Sequence, residues 1–283
     1  MKQVIIFIYI IITLPPVSAQ YSDNDPAMQL RSNEIKTLGE VSYRFLYEQT
    51  ETPDTLAPDV KTRYNMYLEV GDDISKYVDQ RRVVIDSIRQ IHQRQKIHPD
   101  KTSSLTLPLL RSSNKEVIHK NYPKGKITTI DRIPFNYYIF EEQFITPEWK
   151  LLAGDTTICG YKCQKASTTF RGRNYIAWYT VNIPISDGPW KFAGLPGLIM
   201  KITDDAYHYS FVCIGIEKLN KHSDLYISIS PNVIKVTKQK FYEKRKIYLS
   251  NPGAHISNTG QLFTELPQSA YRSKPYNPIE LSE

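Results

Sequence analysis

Alternation of apolar and polar side chains over short segments constrains the fold of this chain more than any other feature. The clearest example is Arg173–Val181, in which every second side chain is apolar or aromatic. The residues that share this face are Tyr175, Ala177, Tyr179 and Val181. Such a period of two is typical of a half-buried β-strand. The preceding segment, Tyr161–Phe170, is joined to it by Arg171-Gly172, and a two-residue link with glycine predicts a tight antiparallel hairpin.

Similar strand patterns recur along most of the chain. The further segments predicted as strands are 41–48, 64–70, 116–122, 126–131, 198–203 and 207–216. Those at 116–122 and 126–131 flank Pro123-Lys124-Gly125 and predict a second hairpin; those at 198–203 and 207–216 predict a third. The 20 Tyr and 10 Phe among 283 residues also favour strands.

Helical periodicity occurs in only two segments. Residues 83–97 and 237–249 place apolar side chains at three- and four-residue spacing, which predicts short amphipathic helices, the second with a basic face and Thr237 as its N-cap. Residues 98–114 are rich in Pro, Ser and Thr and predict a loop. The chain is therefore expected to be an α+β protein, predominantly antiparallel β. We expect a curved sheet or partial barrel built of hairpins, with a few short amphipathic helices.

The first residues predict a secretory signal peptide. Lys2 precedes an apolar run from Val4 to Leu14, and Val17-Ser18-Ala19 supplies the small residues of a cleavage site before Gln20. The run is about half the ~20 residues that a membrane-spanning helix needs. The predicted organisation is a signal peptide (1–19), a mobile lead-in (20–36), a single β-rich domain (37–250) and an extended C-terminal tail (251–283). No transmembrane span is expected after signal cleavage.

Export restricts the classes of function that we expect. An exported protein does not meet cytosolic ATP or NAD, so no cofactor is predicted. Nucleic acid is not predicted as a partner either, although Lys and Arg exceed Asp and Glu by +7. Disulfides are permitted in that compartment.

The three cysteines, Cys159, Cys163 and Cys213, are candidates for one disulfide whose pairing the sequence leaves open. Four residues of extended strand span about 13 Å, so a Cys159–Cys163 bond needs a turn at Gly160-Tyr161. Cys213 on a separate strand can pair with either partner. The odd number leaves at least one free thiol in a monomer. The spacing lacks the second ligand pair of a zinc site, so no metal site is predicted.

No catalytic residue is assigned from the sequence. The six histidines are scattered, and the sequence contains no nucleophile elbow, P-loop or dinucleotide fingerprint. The adjacent carboxylates, such as Glu141-Glu142, would face opposite sides of a strand. A catalytic site assembled from residues far apart in the sequence remains an alternative, because catalytic groups are recognised by their geometry and not by their sequence positions.

One segment carries a family resemblance. Residues 186–202 contain Gly194-Leu195-Pro196-Gly197-Leu198-Ile199, which resembles the signature of the GLPGLI family. Similar blocks follow the same order: Asn121–Lys126, Gly160–Ala166, the hairpin Phe170–Trp178 and Asn277–Leu281. The resemblance implies an exported protein of the Bacteroidota type that occupies the periplasm or outer cell envelope. Because the family has no agreed biochemical activity, the resemblance implies no catalytic residue.

The signature segment has two interpretations. Pro196-Gly197 suits the central positions of a type II turn, so the segment is expected to form a tight aromatic corner that fixes strand register. Alternatively, it forms a rigid rim that contacts a ligand or partner. The candidate binding residues are Trp190, Phe192, Gly194, Leu195, Pro196 and Gly197.

Three functions follow from these features. The first is a non-enzymatic envelope protein whose concave, aromatic sheet face binds an apolar small molecule or an outer-membrane protein. The second is an envelope hydrolase acting on peptide or glycan through a spatially assembled site. The third is a surface assembly factor that adds residues 251–283 as a strand to a partner. The oligomeric state is left open.

Overall fold

The computed structural model describes residues 33–219, 223–258 and 266–282; the predicted signal peptide lies outside them. In this part of the chain the strands are β1 Glu34–Glu40, β2 Tyr43–Glu51, β3 Thr62–Val70, β4 Ser75–Asp79, β5 Val117–Lys120, β6 Lys126–Ile133, β7 Asn136–Gln143, β8 Lys150–Ile158, β9 Tyr161–Phe170, β10 Arg173–Thr180, β11 Leu198–Asp204, β12 Tyr209–Lys218, β13 Asp224–Ile229 and β14 Ile234–Lys235. The α-helices are α1 Gln80–Arg94, α2 Pro99–Ser112, α3 Lys238–Ser250 and α4 Pro252–Ser257, and a 3₁₀ turn covers Gln268–Tyr271.

Twelve of these strands form one sheet, in the order β14-β7-β6-β5-β4-β3-β2-β12-β11-β10-β9-β8. All its neighbours are antiparallel except β14 and β7. Strands β1 and β13 pair with each other as a separate ribbon. The sheet is curved and does not close, so the predicted fold class is confirmed.

The three predicted hairpins are also confirmed by their registers. Tyr175 lies opposite Thr168 in β9–β10, His119 opposite Thr128 in β5–β6, and Ile202 opposite Phe211 in β11–β12. The two predicted helices form with ends shifted by a few residues, and the Thr237 side chain accepts from the Lys240 N–H as expected.

Three segments predicted to be irregular contain regular structure. The expected loop at 98–114 contains helix α2, which starts with Pro99 in its first turn, where proline's missing N–H is harmless. Helix α2 packs on α1, where the Thr102 hydroxyl and the His92 ring are hydrogen-bonded at 2.8 Å. The C-terminal tail is not wholly extended, because α4 and the 3₁₀ turn lie within it. Residues 34–36 of the expected lead-in belong to β1.

Aromatic and aliphatic side chains fill the main core on one face of the curved sheet. Tyr47 of β2 and Phe211 of β12 lie there together with Trp190 and Phe192 from the long β10–β11 connection. Strands β4 and β5 are buried at every position, because a smaller cluster that includes Val83 of α1 and Ile227 of β13 covers their second face. The inner face of the sheet is therefore occupied by the protein's own side chains.

Candidate functional site

The signature segment forms a buried corner between β10 and β11. Trp190 is 1% exposed and Phe192 is fully buried, with their ring centroids 5.1 Å apart. Phe192 also makes an edge contact with Tyr175 at 4.8 Å. Lys120 of β5 ion-pairs with Asp187 and donates to the Gly188 carbonyl at 2.6 Å, which fixes the start of the corner. This packing agrees with the first interpretation of the segment.

The turn differs from the predicted type II geometry. The Gly197 N–H donates to the Leu195 carbonyl at 2.8 Å, a three-residue turn, and Gly197 has φ +153°. Leu195 is buried, whereas Gly194 and Pro196 are exposed. Gly194 and Pro196 can therefore contact a partner at the protein surface. A binding role for the six signature residues stays a prediction.

A buried cluster of charges, here called the ion-pair cluster, surrounds the Lys191 side chain. Lys191 is fully buried and binds the carboxylates of Glu142 and Glu280, the latter at 2.5 Å. Arg171 contacts the same two carboxylates at 2.7 and 3.2 Å, and Lys238 at the start of α3 also reaches both. The cluster therefore joins β7, the β9–β10 turn, the corner, α3 and the C-terminal segment. Its three cations hold the pKa of Glu280 below its usual range although burial acts in the opposite direction.

Arg173 fixes the same C-terminal segment from the opposite side. Its guanidinium pairs with Asp204 at 2.9 Å, and it donates to the Asn277 side chain and the Pro278 carbonyl, each at 2.7 Å. The Tyr209 hydroxyl donates to the Asn277 carbonyl at 2.5 Å. Residues 277–280 are thus bound to the domain, which argues against their release as a strand for a partner.

A polar cavity of about 400 Å³ lies beside the corner, a volume within the usual range for small-molecule sites. Its walls come from the end of β2, the α2–β5 connection, the corner, β12, α3 and residues 275–279. Its polar and charged lining includes Gln49, Glu51, Arg111, Asn114, Lys115, Glu116, Asp131 and Arg245. Its aromatic lining consists of Tyr64, Trp190, Tyr209, Tyr242 and Tyr276. Two segments of the family resemblance, at Trp190 and at Asn277–Ile279, therefore meet at this cavity.

The Glu116 carboxyl is the unusual group of the cavity. The Glu116 side chain is packed among protein atoms and is half-buried, because one side of it faces the cavity. Desolvation raises the pKa of its carboxyl to about 8, although the charge of Lys191 favours the ionised form. Among the described residues, no side chain hydrogen-bonds or ion-pairs with this carboxyl. At neutral pH Glu116 is therefore mainly protonated and presents both an O–H donor and a carbonyl acceptor to the cavity.

The neighbouring charges have partners within the fold. Asp131 ion-pairs with Arg245 of α3, and this carboxylate keeps the pKa of Arg245 raised although burial opposes it. Burial raises the pKa of Glu51, which accepts from the Gln49 amide at 2.6 Å. The buried indole Nε1 of Trp190 has no partner among the described residues. Glu116 thus brings a carboxyl with no described side-chain partner to the cavity, beside the ring of Trp190.

The cavity residues Glu51, Glu116 and Asp131 were not singled out in the sequence. They lie at strand ends or in a strand and carry no motif, so only the packing brings them together. On the basic face predicted for α3, Lys238 and Arg245 form ion pairs with the buried carboxylates of Glu280 and Asp131. The many Lys and Arg residues of that helix were the sequence feature that could have indicated carboxylate partners elsewhere in the chain.

In residues 33–219, 223–258 and 266–282, no three His, Cys, Asp or Glu side chains form a group that could hold a metal ion. No helix in the part of the chain that the structure describes is both long and apolar enough to cross a membrane. Cys159, Cys163 and Cys213 are free thiols.

Stability should fall with rising pH through Glu116. The folded state keeps a proton on this carboxyl up to pH about 8, whereas the unfolded chain releases it near 4.5. Between these values, stability declines by up to roughly 1.4 kcal/mol per pH unit from this group. Glu116→Gln should remove this component, so its melting temperature should approach and then exceed that of the wild type as pH rises.

The control for this measurement is Glu141→Gln, at an exposed position where Glu141 pairs with Lys126 at 2.8 Å. Surface pairs contribute little, so its pH profile should run parallel to that of the wild type. A Glu116→Gln profile that also runs parallel to the wild type would show that Glu116 is ionised throughout.

Comparisons with known proteins identify one family and two solved structures to which parts of this chain are similar. Residues 168–201, from the end of β9 through the corner into β11, match the family described as "Protein of unknown function (Porph_ging)". Two solved structures, of PNGF-II in its P21 and C2 crystal forms, are 14% and 12% identical to this chain. Each match covers 72% of this chain and 32% of the solved one, with a TM-score of 0.47. The chain thus spans about a third of the PNGF-II chains.

No curated protein matches the sequence. The family match fits the expected Bacteroidota-type envelope family but does not establish the GLPGLI name. The chain is therefore similar, over the hairpin and corner, to a family of unknown function.

Proposed function

We propose that the protein is an exported cell-envelope binding protein whose cavity beside the corner holds a polar, sugar-like ligand. The observation that carries the proposal is the Glu116 carboxyl, which lies inside the cavity without a partner from the described residues. The carboxyl is half-buried and faces the cavity, so a ligand held there can exchange hydrogen bonds with it directly.

The cavity lining supports a sugar-like ligand rather than an apolar one. Aromatic rings such as Tyr64 and Tyr242 offer flat faces for the C–H side of a sugar ring, while Gln49, Asn114 and Glu116 offer donors and acceptors for its hydroxyls. The apolar ligand predicted for the concave sheet face has less support, because the core side chains fill that face.

Calorimetry with a panel of neutral oligosaccharides tests the proposal, with short peptides and lauric acid as comparison probes. We expect an oligosaccharide to bind, and Glu116→Ala to weaken that binding about tenfold, because alanine supplies neither the O–H donor nor the carbonyl acceptor of the carboxyl. Glu141→Gln should bind as tightly as the wild type. Binding of lauric acid alone, or equal affinities of Glu116→Ala and wild type, would contradict the proposal.

The cellular part of the proposal rests on the signal-peptide composition of residues 1–19 and on the family resemblance. Fractionation of the native cells should recover the protein from the envelope, and N-terminal sequencing should begin at Gln20. Native mass spectrometry of that material should show extra mass that disappears on denaturation. Recovery from the cytoplasm with the leader intact would overturn this part.

Hydrolysis of a glycan or peptide is the second candidate, and two carboxyls in the same cavity favour it. A general acid works best with a pKa near the operating pH, which the value of about 8 for Glu116 satisfies. Glu51 would then act as the second carboxyl. Turnover in a glycosidase and peptidase screen, lost on Glu116→Gln, would select this function; binding without turnover would select the first.

A further inference from the structure

The β8–β9 hairpin brings two of the three thiols together. Cys159 and Gly160 form its two-residue turn, with φ +50° and +81°, the geometry of a type I′ turn. The Cys159 thiol donates to the backbone carbonyl of Cys213 on β12 at 3.1 Å. The curvature of the sheet thus places the hairpin tip against β12, although β10 and β11 separate β9 from β12 in the strand order.

We propose that Cys159 and Cys213 are the residues of a structural disulfide, and that Cys163 remains a free thiol. Cys163 is buried in β9, and its thiol donates to the Tyr161 carbonyl at 3.4 Å. The pairing left open by the sequence is therefore assigned by the fold. This inference goes beyond the proposed binding function and does not depend on the ligand of the cavity.

The reaction needs a disulfide as oxidant, either a small one or that of a thiol oxidoreductase. Cys159 is the exposed thiol of the pair, and the contact with Cys213 lowers its pKa to about 7. Its thiolate attacks the oxidant, forms a mixed disulfide and releases one thiol. The Cys213 thiol then loses its proton and displaces the second oxidant thiol from Cys159. Two protein thiols give up two electrons and two protons, and the oxidant disulfide becomes two thiols.

Peptide mapping can distinguish all three possible pairings. Trypsin cleaves after Lys162, so Cys159 lies in the peptide 151–162, Cys163 in 163–165 and Cys213 in 202–218. The folded chain is incubated with oxidised glutathione, its free thiols are alkylated under denaturing conditions, and the digest is analysed without reduction. We expect peptides 151–162 and 202–218 to be linked and Cys163 alone to be alkylated. Three alkylated cysteines, or a link that includes 163–165, would overturn the assignment.

Stability provides an independent measurement. The two cysteines are 54 residues apart, and a cross-link of that size should raise the melting temperature by on the order of 5–10 °C over the reduced protein. Cys163→Ser should keep the difference between oxidised and reduced forms, whereas Cys159→Ser should abolish it. Because Cys159 is exposed in a turn, its serine variant should fold. A Cys159→Ser variant that keeps the difference would contradict the proposal.

Discussion

Replacing Gly197 by alanine should lower the free energy of unfolding by about 4 kcal/mol or more, at the upper end for a single substitution. A Cβ atom at this position would lie 2.1 Å from the backbone carbonyl oxygen of Thr180, at the end of β10. Because the obstacle is backbone, relief requires β10 and β11 to separate where the corner joins them. Denaturant unfolding of the two proteins measures the difference.

Gly160→Ala is the matched control. Gly160 also has a positive φ, +81°, but nothing lies within 4 Å of the Cβ that alanine would add. Its cost should therefore be only the backbone strain, about 1–2 kcal/mol. Equal losses for the two variants would show that strain, and not contact with Thr180, makes Gly197 necessary.

Glu280→Gln should lower the free energy of unfolding by about 3–5 kcal/mol, the range for breaking a buried ion pair. The change leaves Arg171, Lys191 and Lys238 with Glu142 as their remaining carboxylate in the ion-pair cluster. The C-terminal segment should loosen at the same time, which amide hydrogen exchange of residues 276–282 would detect.

A second substitution separates the loss of charge balance from the loss of a hydrogen bond. Adding Lys191→Met to Glu280→Gln removes one of the surplus cations, so the double variant should be less destabilised than the sum of the two single variants. Glu141→Gln, at the exposed position next in sequence to Glu142, should change stability by less than about 1 kcal/mol. Strict additivity in the double-mutant cycle would contradict a coupled cluster.

The sequence predicted those parts of the fold in which a local pattern determines the structure. The hairpin at Arg171-Gly172 is one example, because alternation and a glycine turn agree there. Strand β4 was missed, since both its faces are buried and Ser75–Asp79 shows no alternation of apolar with polar residues. Helix α2 was missed because its Ser and Thr residues have weak helix propensity, and its packing on α1 outweighs that propensity.

The candidate site was less accessible to prediction. Its aromatic part was identified through Trp190 in the signature, but the carboxyl of Glu116 comes from a strand start with no motif around it. The cavity is assembled by long-range packing, in which residues 275–279 lie against β2 and β12. No local sequence pattern predicts a contact between segments so far apart in the chain. The pKa of Glu116 depends on its burial, and that burial is produced by all the segments that form the cavity.

The contacts of the C-terminal segment also impose an order on the maturation of the chain. Arg171, Lys191 and Lys238 all leave the ribosome before Glu280, so the growing chain carries these cations without one of their two carboxylates. Burying unpaired cations is costly, and this cost disfavours completion of the corner before residue 280 arrives. The neighbouring residues 275–279 form one wall of the cavity beside the corner, so that cavity is also incomplete until the C-terminal segment has docked.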